Sequence, residues 1–310
     1  MSGASNGVLE TEVRPQGTVT AVVTPARALY WCVRRELWEN RSIYVAPLVV
    51  AAVALFGFLI SSIGLPHRRR AALMLDAVHQ RTAIERPYDI VAMMILVTAF
   101  VVAVFYCLDA LHGERRDRSI LFWKSLPVSD LTTVLSKASI PMVVLPLISF
   151  ALTVATQWIM LLLSTAVMLG SGLSVAPLWA HMPLFQMWLA LLYHLFAVHV
   201  LWYAPIYGWL LLVSGWARRA TFLWAALPWL AIGIVEKLAF NTSHFAAWVG
   251  YRISGSPAGG SFTADNVSMD PLMHLTPGRF LTSPGMWIGL AFFVACIAAA
   301  VRLRRYQAPI

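Results

Sequence analysis

The densest run of residues able to do chemistry is HGERRDRSILFWKSLPVSD, residues 112–130. Glu114, Arg115, Arg116, Asp117 and Arg118 give it closely mixed charge, and Ser119 follows. An apolar patch comes next, Ile120, Leu121, Phe122 and Trp123, and then Lys124 and Ser125. Leu126 and Pro127 stop the patch, and Ser129 or Asp130 can cap a following helix. The segment is too short to form a domain. Charge around an apolar patch suits insertion into a groove on a partner protein. The same residues also suit an interfacial turn, with Phe122 and Trp123 dipping into lipid.

The other candidates are isolated polar residues in apolar surroundings: Gln157, His194, His199 and Glu236. His194 and His199 point about 140° apart on a helix, so one of them can face a bundle interior or a pathway. Interhelical hydrogen bonding accounts for Gln157 equally well. Glu236, beside Lys237, reads either as a residue reaching for the membrane surface or as a gating group. Several reactive patterns are absent from the sequence. The lysines are Lys124, Lys137 and Lys237, none follows a glycine, and no P-loop is present. There is no H-E-x-x-H zinc helix and no G-x-S-x-G elbow. Cys32, Cys107 and Cys296 are scattered and suggest neither a disulfide framework nor a metal site.

These residues sit in a chain of 310 residues that is 59% hydrophobic and 12% charged. Mean hydropathy is +0.72. Such a composition excludes a disordered chain, a disulfide scaffold and an ordinary cytosolic enzyme, and points to an all-α polytopic membrane protein. Charge-free runs predict six spans at about 43–63, 89–110, 138–169, 187–213, 220–240 and 285–301. Residues 138–217 contain no Asp, Glu, Lys or Arg, and the Gly/Ser/Pro-rich stretch 170–183 divides that run into two spans.

An even number of spans puts both termini on one side. Placing them in the cytoplasm puts Arg14, Arg27, Arg34, Arg35 and Arg41 inside. Arg115, Arg116, Arg118, Lys124, Lys137, Arg218, Arg219, Arg302, Arg304 and Arg305 join them. The loop 64–88, with Arg68, Arg69, Arg70, Arg81 and Arg86, is the exception and lies outside in this arrangement. The net charge of +9 then reflects topology. No basic run is interleaved with base-stacking aromatics in a polar context, so nucleic acid is not an expected partner. The domain reading is a flexible cytoplasmic N-terminus over 1–25, one transmembrane domain over 26–305 and a cytoplasmic tail over 306–310. Residues 26–41 predict an amphipathic helix in the cytoplasmic interface, with Arg34, Arg35, Glu36, Leu37 and Trp38 at its centre. It also reads as the helical start of the first span.

The stretch YCLDALHGERRDRSILFWKSLPVSDLTTVLSK, residues 106–137, resembles the first cytoplasmic loop of ABC-2 family permeases, the membrane subunits of bacterial ABC exporters. The resemblance rests on Glu114–Arg115, Ser119, Ser125–Leu126–Pro127–Val128–Ser129 and Lys137. Arg34–Arg35–Glu36–Leu37 resembles the amphipathic helix that precedes the first span in that family. Six spans with cytoplasmic termini extend the likeness over about residues 26–305. The resemblance implies a permease in the bacterial inner membrane, working with a second permease copy or a related one. Residues 112–130 would couple it to a separate cytoplasmic ABC ATPase. ATP and Mg would be used by that partner, and this chain would bind no cofactor and have no catalytic or metal site.

Other functional classes remain open from the residues. An ion-coupled secondary transporter needs mid-membrane ionisable groups and commonly repeated halves, which this sequence lacks unless His194 or Glu236 lies deep. An intramembrane enzyme would have only His194 and His199 as bases. A non-transporting accessory subunit would bind an ATPase without ATP-stimulated export. No residue selects a cargo.

Overall fold

The computed structural model describes residues 24–67, 77–125, 128–172, 174–176, 179, 184–254 and 284–306. Among these the chain is helical, without strands. Outside the described residues lie Leu126 and Pro127, nearly all of the expected N-terminal region 1–25, most of the tail 306–310, part of the loop 64–88, part of the stretch 170–183 and residues 255–283.

Helix α1 (Pro25–Glu39) starts on a proline, whose fixed φ and missing N–H suit a first helical turn. It leads through Asn40 and Arg41 into α2 (Ser42–Ser62), which has no charged residue. Helix α3 (Ala77–Ala110) starts before the expected boundary at 89. Hydropathy sees only its apolar part, whereas the backbone ladder continues through Arg81, Glu85 and Arg86 and past Pro87. Two short helices follow, α4 (His112–Arg116) and α5 (Ser119–Ser125). Arg118 between them has φ 57°, a left-handed conformation that turns the chain sharply and is uncommon outside glycine.

Ser129 caps α6 (Asp130–Ser139) by accepting a 3.1 Å hydrogen bond from the Thr132 N–H. The helix continues into a π-helical turn, π1 (Ile140–Val144), and then α7 (Leu145–Gly170). Pro141 offers no N–H, and Leu145 N–H reaches back to the Ile140 carbonyl, so the ladder widens there. The next apolar stretch is α8 (Leu184–His194), a second π segment, π2 (Leu195–Trp202), and α9 (Ala204–Trp216). Helix α10 (Thr221–Phe240) is joined by a left-handed Asn241 to α11 (His244–Ser254), and α12 (Pro284–Tyr306) completes the described chain.

Among the described residues, five helices are long and apolar enough to cross a membrane: Ser42–Ser62, Ile84–Arg116, Asp130–Gly170, Thr221–Phe240 and Pro284–Tyr306. Ala204–Trp216 is apolar but shorter. The stretch expected as the fourth span is thus divided into two α-helices around π2.

The two largest apolar clusters hold the bundle. One gathers Ile43, Ala99, Ala103, Cys107, Val134, Tyr207 and Leu211. The other gathers Phe58, Tyr88, Ile95, Met160 and Leu161. Small residues let helices approach closely, as is needed where lipid removes the hydrophobic drive between spans. On α9, a Cβ at Gly208 would stand 2.8 Å from the Phe293 ring of α12. Helix α10 stands at the edge, with Ala225 as its buried residue.

Candidate functional site

The expected coupling segment begins where α3 ends, and its first residues face inward. Glu114 is 7% exposed and sits among charges from three other elements. Its Oε1 is 3.2 Å from Lys137 Nζ on α6 and 3.8 Å from Arg35 on α1. Its Oε2 is 3.2 Å from Arg304 on α12. Lys137 also donates to Glu36 Oε1 at 2.9 Å, and Tyr106 donates to Glu36 Oε2 at 2.8 Å. Arg304 Nε lies 3.2 Å from Asp130 at the start of α6.

Glu36, Glu114 and Asp130 thus face Arg35, Lys137 and Arg304, three acids against three bases. Glu36 and Lys137 are each 2% exposed. The Glu114–Lys137, Glu114–Arg304 and Arg304–Asp130 contacts are ion pairs without aligned hydrogen bonds. Burial by itself would raise the Glu36 carboxyl. The Lys137 ammonium, its hydrogen bond and the Tyr106 hydroxyl outweigh burial and hold the carboxyl below its usual value. A buried cluster of this kind is weak evidence for net stability, but removing one partner strands the others.

A second anchor ties the segment to α9. Ser214 Oγ accepts from the Leu111 and His112 N–H groups, both at 2.9 Å, and so caps the start of α4. In return Arg115 donates to the Gly215 carbonyl at 2.7 Å, and His112 Nδ1 lies 3.2 Å from the Ala217 carbonyl. A cation on the last carbonyls of a helix complements the negative end of its dipole. The end of α9 and the start of α4 therefore satisfy one another's orphan groups.

The remainder of the segment points outward. Arg116, Asp117 and Arg118 are exposed, and Arg116 pairs with Asp117 at 3.1 Å and Asp109 at 3.8 Å. Ser119 donates weakly to the Glu114 carbonyl at 3.4 Å. Ile120 is buried and pins α5, while Leu121 is 58% and Phe122 60% exposed. Trp123, Lys124 and Ser125 lie on α5. The expected site therefore divides into a root of Glu114, Arg115 and Ile120 and a tip of Arg116, Asp117, Arg118, Leu121 and Phe122.

On α1, Arg34 and Trp38 are exposed, Leu37 packs on the first core, and Arg35 forks onto Glu39 at 2.8 and 3.0 Å. Gln157 is a cross-link: its amide donates to the Tyr88 carbonyl at 3.3 Å and accepts from Trp188 at 2.8 Å. Glu236 caps α11, accepting from Thr242 Oγ1 at 2.8 Å and from the N–H groups of His244 and Phe245 at 2.7 and 2.8 Å. Those three bonds give its carboxylate a structural role at the α10–α11 turn. His194 is half-buried at the end of α8, and His199 lies on π2. The structure does not bring Gln157 and Glu236 together into one polar path.

Sequence reasoning missed Arg304 and Ser214, which only tertiary contact joins to the segment, and Tyr106, which reaches Glu36 on α1. Arg252 on α11 was missed too. It is 8% exposed, lies 4.2 Å over the Trp202 ring and donates to the Gly285 carbonyl at 3.2 Å. No group of three or more His, Cys, Asp or Glu suited to a metal occurs among the described residues.

No protein-family model, no curated protein and no solved structure matches the chain.

Proposed function

We propose that this chain is the permease subunit of an ATP-driven exporter of the ABC-2 kind, in a bacterial inner membrane, powered by a separate cytoplasmic ATPase. The carrying observation is the two-sided segment 111–125. Its root is bound to α1, α6, α9 and α12 through Glu114 and Arg115. Its tip presents Leu121 and Phe122 beside exposed Arg116, Asp117 and Arg118. A tip docked in a groove of the ATPase moves with it, and the root passes that displacement to four helical elements at once. Such a lever needs two global arrangements of the root contacts.

In this reading there are six crossings, with α8, π2 and α9 together as the fourth, and both termini are cytoplasmic. A second permease copy or a related chain completes the pathway, and ATP and Mg act on the partner. The test is purification in mild detergent followed by reconstitution with the ATPase that accompanies the chain. Leu121→Glu is expected to remove the ATPase and leave the permease folded. Transport that survives without any ATPase and collapses with an ion gradient would instead establish a secondary transporter.

A further inference from the structure

Helix α1 has two faces of different chemistry. Its inner face puts Val33 and Leu37 on the core and Glu36 into the ion cluster. Its outer face carries Arg27, Tyr30, Trp31, Arg34 and Trp38, all exposed. At 100° per residue these fall within about a 100° arc. Arg41 continues the strip at the turn into α2. The Arg34 guanidinium carbon lies 5.1 Å from the Trp31 ring and 5.1 Å from the Trp38 ring, so two indoles flank one cation. Tyr30 meets Trp31 edge to face at 5.5 Å.

Among the described residues, no carboxylate neutralises this strip. Glu39 is held by both arms of Arg35, and Glu36 is held by Lys137. Among the described residues, the Arg34 guanidinium has the two indoles for company and no ion pair. Indole faces strengthen a cation's position without cancelling its charge.

We propose that this strip is a binding site for the phosphodiester headgroups of anionic phospholipids, with Arg34 as its centre. Two requirements select the ligand. The arginines need an anion, and the exposed indoles need the boundary between headgroups and acyl chains, where Trp is enriched. A soluble phosphate meets the first and is weakened by salt screening. An anionic lipid at the membrane surface meets both. The strip adjoins the first residues of α2, an uncharged helix of membrane-crossing length, which sets it at the bilayer surface. Because the same rigid helix carries Glu36 on its other face, a headgroup held at Arg34 also fixes one wall of the ion cluster. The site goes beyond the exporter reading and stands whether or not an ATPase docks.

The experiment is native mass spectrometry of the full chain in mild detergent with equimolar phosphatidylglycerol and phosphatidylcholine. Wild type should retain phosphatidylglycerol in preference. Arg34→Gln should lower that preference by about fivefold, and Arg27→Gln added to it by a further factor of similar size. Trp31→Ala with Trp38→Ala should lower retention of both lipids. An unchanged preference in the double arginine variant would overturn the site, as would no preference in wild type. Displacement of the lipid by millimolar inorganic phosphate would show that the ligand is a soluble anion. Loss of the fold in Arg34→Gln would also overturn it, since an exposed side chain on a lipid-binding strip has no folding role.

Discussion

The two ends of this bundle handle charge in different ways. At the end where α1, α4, α6 and α12 meet, acids and bases answer one another: Glu36 and Glu114 share Lys137, and Glu114 and Asp130 share Arg304. At the opposite end, charge is answered by backbone and by an aromatic ring. Glu236 takes the free N–H groups at the start of α11, and Arg252 lies against Trp202 and the Gly285 carbonyl. A carboxylate on helix N–H groups or a guanidinium on an indole holds a local turn in one geometry. A network of several ion pairs from distant elements can exchange partners, and so has the means to shift between arrangements.

Breaking the network should cost most. Lys137→Met leaves Glu36 and Glu114 buried without their shared cation, with an expected loss of about 3–5 kcal/mol. Thermal unfolding in detergent measures it. The double variant with Glu36→Gln should recover part of that loss, because fewer unpaired charges remain. At the opposite end, Gly289→Ala would push a Cβ into the Arg252 guanidinium and to 2.8 Å from Pro205. About 1–3 kcal/mol is expected from such overpacking. Glu236→Ala removes the acceptor for the first N–H groups of α11, so hydrogen exchange should speed up over the first turn of that helix while the ion cluster stays protected.

The Glu36 carboxyl is held below its usual value in the folded chain. Its stabilisation is therefore present above the unfolded value of about 4.3 and is lost as pH falls through the lower folded value. Acid unfolding of wild type should show this loss below about pH 4.3, and Glu36→Gln should lack it. The smallest effect on stability is expected at the tip: Leu121→Glu should change unfolding by no more than about 0.5 kcal/mol. A large change there would mean that the tip belongs to the core.

Much of the fold was written in where charge is missing. Gaps in Asp, Glu, Lys and Arg locate α2 and the starts of α10 and α12 closely, because a span must exclude charge. They misplace the start of α3, where a helix runs on through charged residues that hydropathy counts as loop. They do not reveal π1 or π2, since a change from i+4 to i+5 bonding leaves the apolar pattern intact. Of the site, 112–125 was visible because charge and aromatics crowd a short link, but its division into root and tip was not. Glu114 and Arg116 are alike in sequence context, and only the positions of Lys137, Arg304 and Arg35 turn one inward. The role of Glu236 was nearer to hand: its partners lie six to nine residues away, and Thr242–Ser243 before an apolar run is a helix-start signal.

In the exporter proposed above, the tip of 111–125 docks on an ATPase while its root holds the bundle. The direct measurement is the amount of P-loop ATPase that co-purifies with the full chain in mild detergent, compared between wild type and Leu121→Glu at matched thermal stability. A stoichiometric ATPase is expected with wild type and at least about a tenfold loss with the variant, equivalent to about 1.4 kcal/mol of binding. Equal recovery of the ATPase with both, or none with wild type, would contradict it.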